Sequence, residues 1–517
     1  MGRFMSFRAS AASPPRGGSV WLPSGGWHGH ALLRGRASGT TADARTATQR
    51  RVAVPPGRPA RGVVLVAVLL VTVLVTMIAA GLMFRMRAEV AASGAGARGE
   101  QAYEAAMSGL ACAALVLKNS AADMNTWYDN PEIFQNQFVA DDGANRWYFT
   151  IYADDLTETA PIRYGLTDEA GKINLNTAPP ETLQAMRNMT AELVGCLLDY
   201  RDADSVPLPD GAEQEYYDSL AHPYVIPNQA LSTMDELLMV KGFTGQVVYG
   251  ENSNLSAVLG ARAGGGMGRS ITVSSDGTTD RGLRAVATVY TSEPNVDSAG
   301  QKRVDLNADI AAGSVSLPAE TLQFIRVYRA EGNTFNDPSQ LLEMRYTLKQ
   351  AHSESPNLKP GATIESGVKA EQLPVVVDRL TAQRTTGSRR TAPGLVNVNT
   401  APAEVLAVLP GLDASLAQDI VDLRANVPAE TKSTIAWLYT QNLLDADAFK
   451  KAAPFLTARS YQYSVRCIGF GVPCGRHRVL EAVLDLTGGT PRIGYLRDIT
   501  RLGLPFALDT DLMERRP

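Results

Sequence analysis

Cysteine and histidine are scarce in this chain, at 4 and 5 of 517 residues. Four cysteines over that length cannot build a disulfide scaffold, and five histidines leave little material for transition-metal sites. His222, His352 and His477 stand alone, with no HxxxH, GxSxG or phosphate-loop spacing around them, so no catalytic constellation emerges. An excess of one charge sign is also lacking. The formal net charge is −4, which argues against a chain devoted to neutralising phosphates. Disorder throughout is excluded by an apolar fraction of 45%. The length leaves room for about two to four domains with ample core.

The near-neutral total hides an asymmetry. Residues 1–62 carry ten Arg, no Lys and one acid, Asp43, for a charge of +9; the remaining 455 residues carry −13. That basic stretch, which includes His28 and His30, is rich in Gly, Ser, Ala and Pro without a hydrophobic period and reads as an unfolded leader. Residues 63–84 then run 22 positions without a charge. As a helix they span about 33 Å, enough for a hydrocarbon core. Arg45, Arg50, Arg51, Arg58 and Arg61 precede the run, so the positive-inside bias places the N-terminus in the cytoplasm and the bulk outside. A cleaved secretory signal fits poorly, because Phe84-Arg85-Met86-Arg87 stands where a small-residue cleavage site belongs. Beyond the run, Tyr103, Met107, Leu110, Ala114 and Leu117 keep helical spacing, which predicts one long helix over 63–118, with Gly94, Gly96 and Gly99 as its weak points.

Strand patterns bracket the rest. Trp147, Phe149 and Ile151 alternate onto one face, followed by Ile162–Leu166 and Lys172–Leu175. Nearly 300 residues later, Tyr461, Tyr463, Val465 and Cys467 alternate again, and after the turn at Gly471–Gly475 so do Leu480, Ala482, Leu484 and Leu486. A sheet built from both regions makes the intervening chain an insertion. Loop composition at 263–268 and 274–282 supplies linkers within it, and Leu283–Tyr290 reads as a strand.

The insertion repeats internally. Gly171–Met186 (GKINLNTAPPETLQAM) and Gly394–Leu409 (GLVNVNTAPAEVLAVL) agree at eight of sixteen positions, and a fainter copy begins at Val304-Asp305-Leu306-Asn307 with Pro318–Arg329 as its helix. In each strong copy a short strand holding Asn174 and Asn176, or Asn397 and Asn399, ends at Thr177 or Thr400, which can N-cap a following helix. Leu409-Pro410-Gly411-Leu412 resembles the turn of helix-hairpin-helix modules, which hold phosphates on backbone N–H groups. Asp413 replaces the second glycine of such a turn, Met186-Arg187-Asn188-Met189 of the first copy has none, and the outer part is acidic; all three count against nucleic acid. The carboxylates at 141–142, 154–155, 168–169 and 199/202/204 follow no EF-hand pattern, and can hold Ca²⁺ only if loops converge them. Cys467 and Cys474 flank the hairpin turn on the outer side, where a disulfide can form; Cys112 and Cys196 read as small packed hydrophobes.

Arg61-Gly62 directly before an unbroken apolar helix resembles the processing site of type IV prepilins and type II secretion pseudopilins. Together with the INLNTA and VNVNTA repeats, the interrupted sheet and the closing segment Tyr461–Leu502, it makes residues 61–500 similar to the type II secretion minor pseudopilin K family, also called general secretion pathway protein K. The resemblance implies an α+β, pilin-like fold: a long N-terminal helix packed on a small antiparallel sheet, with a large, mainly helical insert of helix-hairpin-helix-like (SAM-like) repeats. It implies the divisions 1–62 leader, 63–118 long helix (63–84 transmembrane), 119–176 and 459–517 the two parts of the pilin-like domain, and 177–458 the insert, with repeats at 171–204, 304–330 and 394–427. It further implies cleavage between Gly62 and Val63 by a prepilin peptidase. The place implied is the inner membrane, single-pass, with the bulk periplasmic. Expected partners are the other minor pseudopilins of the pseudopilus tip, the major pseudopilin and the inner-membrane secretion platform, and the expected role is initiating or capping the pseudopilus rather than catalysis. No cofactor is expected, Ca²⁺ apart. One departure from the prepilin and pseudopilin pattern is Ala67, where those proteins usually carry Glu at the fifth mature position. A buried carboxylate without a partner is costly, so its loss suits a subunit with no neighbour above it. A DNA-uptake receptor, a type IV pilus minor pilin and an uncleaved anchored protein are the rival readings.

Overall fold

A computed structural model describes residues 61–154, 162–250, 281–311, 313–351, 359–382, 391–506 and 508. Residues 1–60 of the leader, with His28 and His30, and also His352 and the linker sequences at 263–268 and 274–280, lie outside them. The chain divides into two units, one ending at Gly81 and one running from Leu82 to Pro517.

Helix α1 (Arg61–Ser120) is unbroken and is the one described helix long and apolar enough to cross a membrane, with a mean hydropathy of 2.8 over its most apolar window. Side chains of the apolar run from Val64 to Phe84 are exposed, apart from the half-buried Ala80. The hydroxyls of Thr72 and Thr76 donate back to carbonyls three and four residues earlier, so the polar atoms of that run are satisfied within the helix, as hydrocarbon requires. Gly94, Gly96 and Gly99 stay helical.

The second unit is built on a sheet of seven strands. These are β1 (Gln137–Asp141), β2 (Arg146–Asp154), β3 (Ile162–Arg163), β4 (Thr167–Asp168), β5 (Gln462–Val472), β6 (His477–Asp485) and β7 (Arg492–Asp498). Their order is β1-β2-β5-β6-β7, with β3 on β2 and β4 on β5, all antiparallel. The long strand β5 therefore joins the two halves of a sheet that the insert separates in sequence. The alternation expected of the strands holds: Phe149, Ile151, Tyr463, Val465, Cys467, Leu480, Ala482 and Leu484 bury one face against Ala106, Leu110, Ala113 and Leu117 of α1. On the other face Tyr148, Tyr152, Ile468, Phe470 and Val479 are covered by Leu504, Phe506 and Leu508 near the C-terminus.

Two glycines set the helix–sheet distance. A Cβ on Gly469 would fall 2.1 Å from the carbonyl oxygen of Ala102, and one on Gly109 would fall 2.4 Å from Sγ of Cys467. That close approach selects alanine beneath the helix. The fully buried stripe is accordingly Ala102, Ala105, Ala106, Leu110, Ala113 and Leu117, while the larger Tyr103 and Met107 of the expected stripe are only half-buried.

The insert contains α2 (Pro180–Ala185), α3 (Ala191–Arg201), α4 (Ala319–Ala330), α5 (Ala403–Leu406), α6 (Ala414–Arg424) and α7 (Ala446–Ala452). Leu183, Leu197, Leu406, Ile420, Trp437 and Phe449 lie in one core, so the two strong repeats share it. The faint copy has its own, around Leu306, Phe324, Phe335 and Val376. The strand expected over Leu283–Tyr290 is instead a short 3₁₀ turn, Leu283–Ala285, followed by the two-residue strand Ala287–Thr288.

Candidate functional site

Each repeat is organised by the same polar device. In the first, Ile173–Asn174 pairs in parallel with Ala287–Thr288, and Asn174 Oδ1 accepts from the N–H of Asn176 at 2.8 Å. Asn176 then mimics a backbone: its Nδ2 donates to the Leu231 carbonyl at 2.9 Å and its Oδ1 accepts from Leu231 N at 2.7 Å. Arg201, at the end of α3, donates to the carbonyls of Leu175 and Ala178. In the faint copy Asp305, Asn307 and Arg329 take these parts. Asn307 N donates to Asp305 Oδ1, Asn307 pairs with both backbone groups of Phe335, and Arg329 holds the carbonyls of Asn307 and Ala308. The last copy uses Asn397, Asn399 and Arg424, with Arg424 on the carbonyls of Val398 and Ala401. The three parallel strand pairs complete the correspondence.

The threonines do not cap helices. Pro179 and Pro402 occupy the N-cap positions of α2 and α5 without a side-chain bond, because Ala-Pro follows each Thr and delays the helix by two residues. Thr400 instead donates to Asp168, the residue that ends β4. Asp168 is buried, and its Oδ2 accepts from Asn397, Thr400 and Ser460 while Oδ1 accepts from Ala170 N. Burial pushes its pKa up against those donors. Next to it, Glu169 takes Lys172 Nζ at 2.7 Å, Ser464 and Thr288; burial pushes that carboxyl up, but Lys172 holds it below its ordinary value. This pair of carboxylates locks the insert onto the sheet.

The hairpin turn of the last repeat faces protein. Gly411 has φ +82°, and a Cβ there would stand 2.9 Å from the Ala448 carbonyl and from Lys451, so α7 covers it. The first repeat reaches the same left-handed conformation with Asn188, at φ +63°, which its missing glycine had concealed.

One carboxylate cluster does converge. Asp202, Asp204 and Glu213 bring oxygens within 4.8 Å of one another, whereas Asp199 turns inward to the N–H of Leu208. Glu213 is buried, and neither of its carboxylate oxygens has a hydrogen-bond partner; Asp202 Oδ1 is likewise unpartnered. Burial, then the neighbouring carboxylates, push the pKa of both Asp202 and Glu213 up. Hard oxygen donors with orphaned lone pairs are the donor set of Ca²⁺, and Asp202, Asp204 and Glu213 would hold it. Glu213 was missed from the sequence because it lies nine residues beyond Asp204, across a loop.

All four cysteines are free thiols. The expected Cys467–Cys474 bridge is not formed. Cys467 points beneath α1 at Gly109, while Cys474 folds back onto the Gly471 carbonyl, which lies four residues, or about 13 Å, further along the strand. Gly62 and Val63 lie in the first turn of α1.

Residues 180–251 match the family described as "Type II secretion system (T2SS), protein K", and residues 393–457 match the helix-hairpin-helix motif. The type II secretion system protein K of Pseudomonas aeruginosa is 26% identical over 201 residues, covering 36% of this chain and 58% of that protein. A chain of the crystal structure of the GspK–GspI–GspJ complex from the enterotoxigenic Escherichia coli type 2 secretion system aligns over 80% of this chain and 99% of its own length, at a TM-score of 0.37 and 13% identity. The chain is thus similar to the type II secretion protein K family at 180–251 and to the helix-hairpin-helix motif at 393–457, and it spans just over half the length of the curated relative it matches.

Proposed function

We propose that this chain is a minor pseudopilin of a type II secretion system, seated at the tip of the pseudopilus, where it initiates or caps assembly. The observation that carries the proposal is a protein K domain inserted into a sheet whose first covering element is a helix long and apolar enough to span a membrane. In this reading a prepilin peptidase cuts after Gly62, and Val63 becomes the mature N-terminus. Residues 63–84 anchor the chain in the inner membrane, and the sheet and insert stand in the periplasm. Other minor pseudopilins, like those named in the solved complex, pack beside it, and the major pseudopilin follows below. Ala67 supports a terminal position, since a subunit without a neighbour above it has no amine for a buried carboxylate to meet. The role is assembly rather than catalysis.

N-terminal sequencing of the membrane-bound form tests the processing step. A start at Val63 is expected, and Gly62→Val should leave a longer, slower-migrating product. Identical mobility of the two products would overturn it. Association with the tip is tested by co-purification with the other minor pseudopilins, which an Ala67→Glu variant, carrying an unpartnered carboxylate in the apolar helix, should weaken; absence of co-purification with the wild-type chain would overturn the tip assignment.

A further inference from the structure

Outside α1, nine described large apolar residues are exposed, and six of them lie between Val206 and Met239. Val225 and Val206 are 84% and 72% exposed; Leu208, Tyr216, Leu238 and Met239 accompany them. They are not scattered. Asn228 Nδ2 donates to the Asp204 carbonyl at 3.0 Å, tying the Val225 segment to the Val206 loop. Gln214 bridges to Tyr224 and Ile226, and the Tyr224 hydroxyl donates to the Met239 carbonyl. Leu208 is pinned through its N–H to the buried Asp199. Exposed apolar side chains gathered on one stitched lobe mark an interaction surface.

Charge selects the occupant. Residues 199–241 hold nine carboxylates and two cations, a net −7. Neither cation is offered outward freely: Arg201 holds the carbonyls of Leu175 and Ala178, and Lys241 pairs with Glu192 at 3.3 Å while lying over the Tyr216 ring. A divalent cation on Asp202, Asp204 and Glu213 would still leave the lobe at −5. A second copy of the same face, an anionic lipid surface and a nucleic acid are all repelled by this field. We propose that the 199–241 lobe docks a basic, amphipathic segment of a partner protein, its apolar face on Val206, Val225 and Met239 and its cations on the surrounding carboxylates. Asp235 of the lobe is already paired with Arg497 of β7, so the carboxylates that meet the partner are the others; the surface stands apart from the membrane helix and from the role of the chain at a pseudopilus tip.

The test uses the full chain in phosphatidylcholine nanodiscs, with empty nanodiscs subtracted, and two labelled peptides of equal charge: an amphipathic lysine–leucine helix and a lysine–serine counterpart. Fluorescence anisotropy should show saturable binding of the lysine–leucine peptide at least tenfold tighter than that of the lysine–serine peptide. Affinity should weaken as salt rises. Val206→Ser with Val225→Ser keeps the charge, replaces two exposed side chains without touching a core, and should weaken binding at least tenfold. Equal affinity for the two peptides, an unchanged affinity in the double variant, or no saturable binding would each overturn the proposal. So would sedimentation showing that the lobe pairs copies of the chain, or binding of phosphatidylglycerol vesicles that the double variant abolishes.

Discussion

Calcium should stabilise this protein through Asp202, Asp204 and Glu213, and the effect should fade as the pH falls. The sign follows from the carboxyls themselves. Burial, joined by neighbouring carboxylates, raises the pKa of Asp202 and Glu213 in the folded chain above their unfolded values. The folded state therefore holds those protons more tightly. Their contribution is fully present below the unfolded pKa and is lost as pH rises through the raised one. At neutral pH the cluster is strained by its own charge, and a divalent cation relieves it. On the proposed placement outside the cytoplasm, a loop site of this kind should bind Ca²⁺ at about 0.1–1 mM. At a hundredfold excess over Kd the linkage is worth about 2.7 kcal/mol. For a cooperative unit the size of Leu82–Pro517 that is a rise in Tm of about 3 °C.

The assay is thermal unfolding of the detergent-solubilised full chain in about 10 mM CaCl₂ against EDTA. Glu213→Gln removes the buried charge without removing volume. Its EDTA form should melt above that of the wild type at pH 7.5, because an uncompensated carboxylate is gone, and its response to Ca²⁺ should shrink to about a third or less. At pH 5 the wild-type response should also shrink, since protons occupy the same oxygens. A Ca²⁺ response that is the same in Glu213→Gln, or the same at pH 5 and pH 7.5, would refute the assignment.

Three further outcomes follow from the packing. Gly109→Ala should destabilise by about 1–3 kcal/mol by forcing Cys467 and the Phe149 ring aside, and Cys467→Ala in the same chain should recover part of it, the Phe149 contact remaining; additive urea-unfolding energies would show that the thiol is not an obstacle. Asp168→Ala leaves the Thr400 and Ser460 hydroxyls without their acceptor in a buried junction and should cost about 3 kcal/mol in the same assay, against a smaller loss for Asp168→Asn; a cost near zero would remove Asp168 as the lock between sheet and insert. Alkylation of the denatured, unreduced protein followed by mass measurement should count four thiols, and a count of two would restore the bridge between Cys467 and Cys474.

The strands were legible because one side of each is buried and the period of two survives in the residues themselves, from Phe149 and Ile151 to Leu480, Ala482 and Leu484. The packing face of α1 was legible only in part. A search for large apolar residues at helical spacing finds Tyr103 and Met107, yet the buried positions beside them are Ala102, Ala105 and Ala106. The cause lies in the other element: Gly469 lets the helix backbone down onto the strand, and only alanine fits beneath it. A contact set by a glycine more than 360 residues away leaves no local signal.

The faint copy at 304–330 shows why identity understates likeness in this fold. Position by position, Asp305 for Asn174 and a single helix in place of two look like decay of the motif. The requirement of the first position is only an acceptor for the N–H two residues on, and Asp Oδ1 serves it as well as Asn Oδ1, at 2.8 Å in both copies. The position that must be an amide is the next but one, because it has to donate to a carbonyl and accept from an N–H at once; there Asn176 and Asn307 both bridge a distant strand-like segment through paired bonds. The arginine closes the unit by holding two carbonyls left over by the turn, a task that a guanidinium performs with two separate N–H groups and an ammonium point charge would perform less well. In the last copy Asn399 keeps the donor half of that bridge, to the Lys432 carbonyl, while its Oδ1 finds no donor. The hairpin turn of that copy is also the one that α7 covers at Gly411. The repeats are thus a framework that ties distant segments to short parallel strands, and the matched helix-hairpin-helix motif serves here as scaffold, with its turn spent on an internal contact rather than presented to a phosphate.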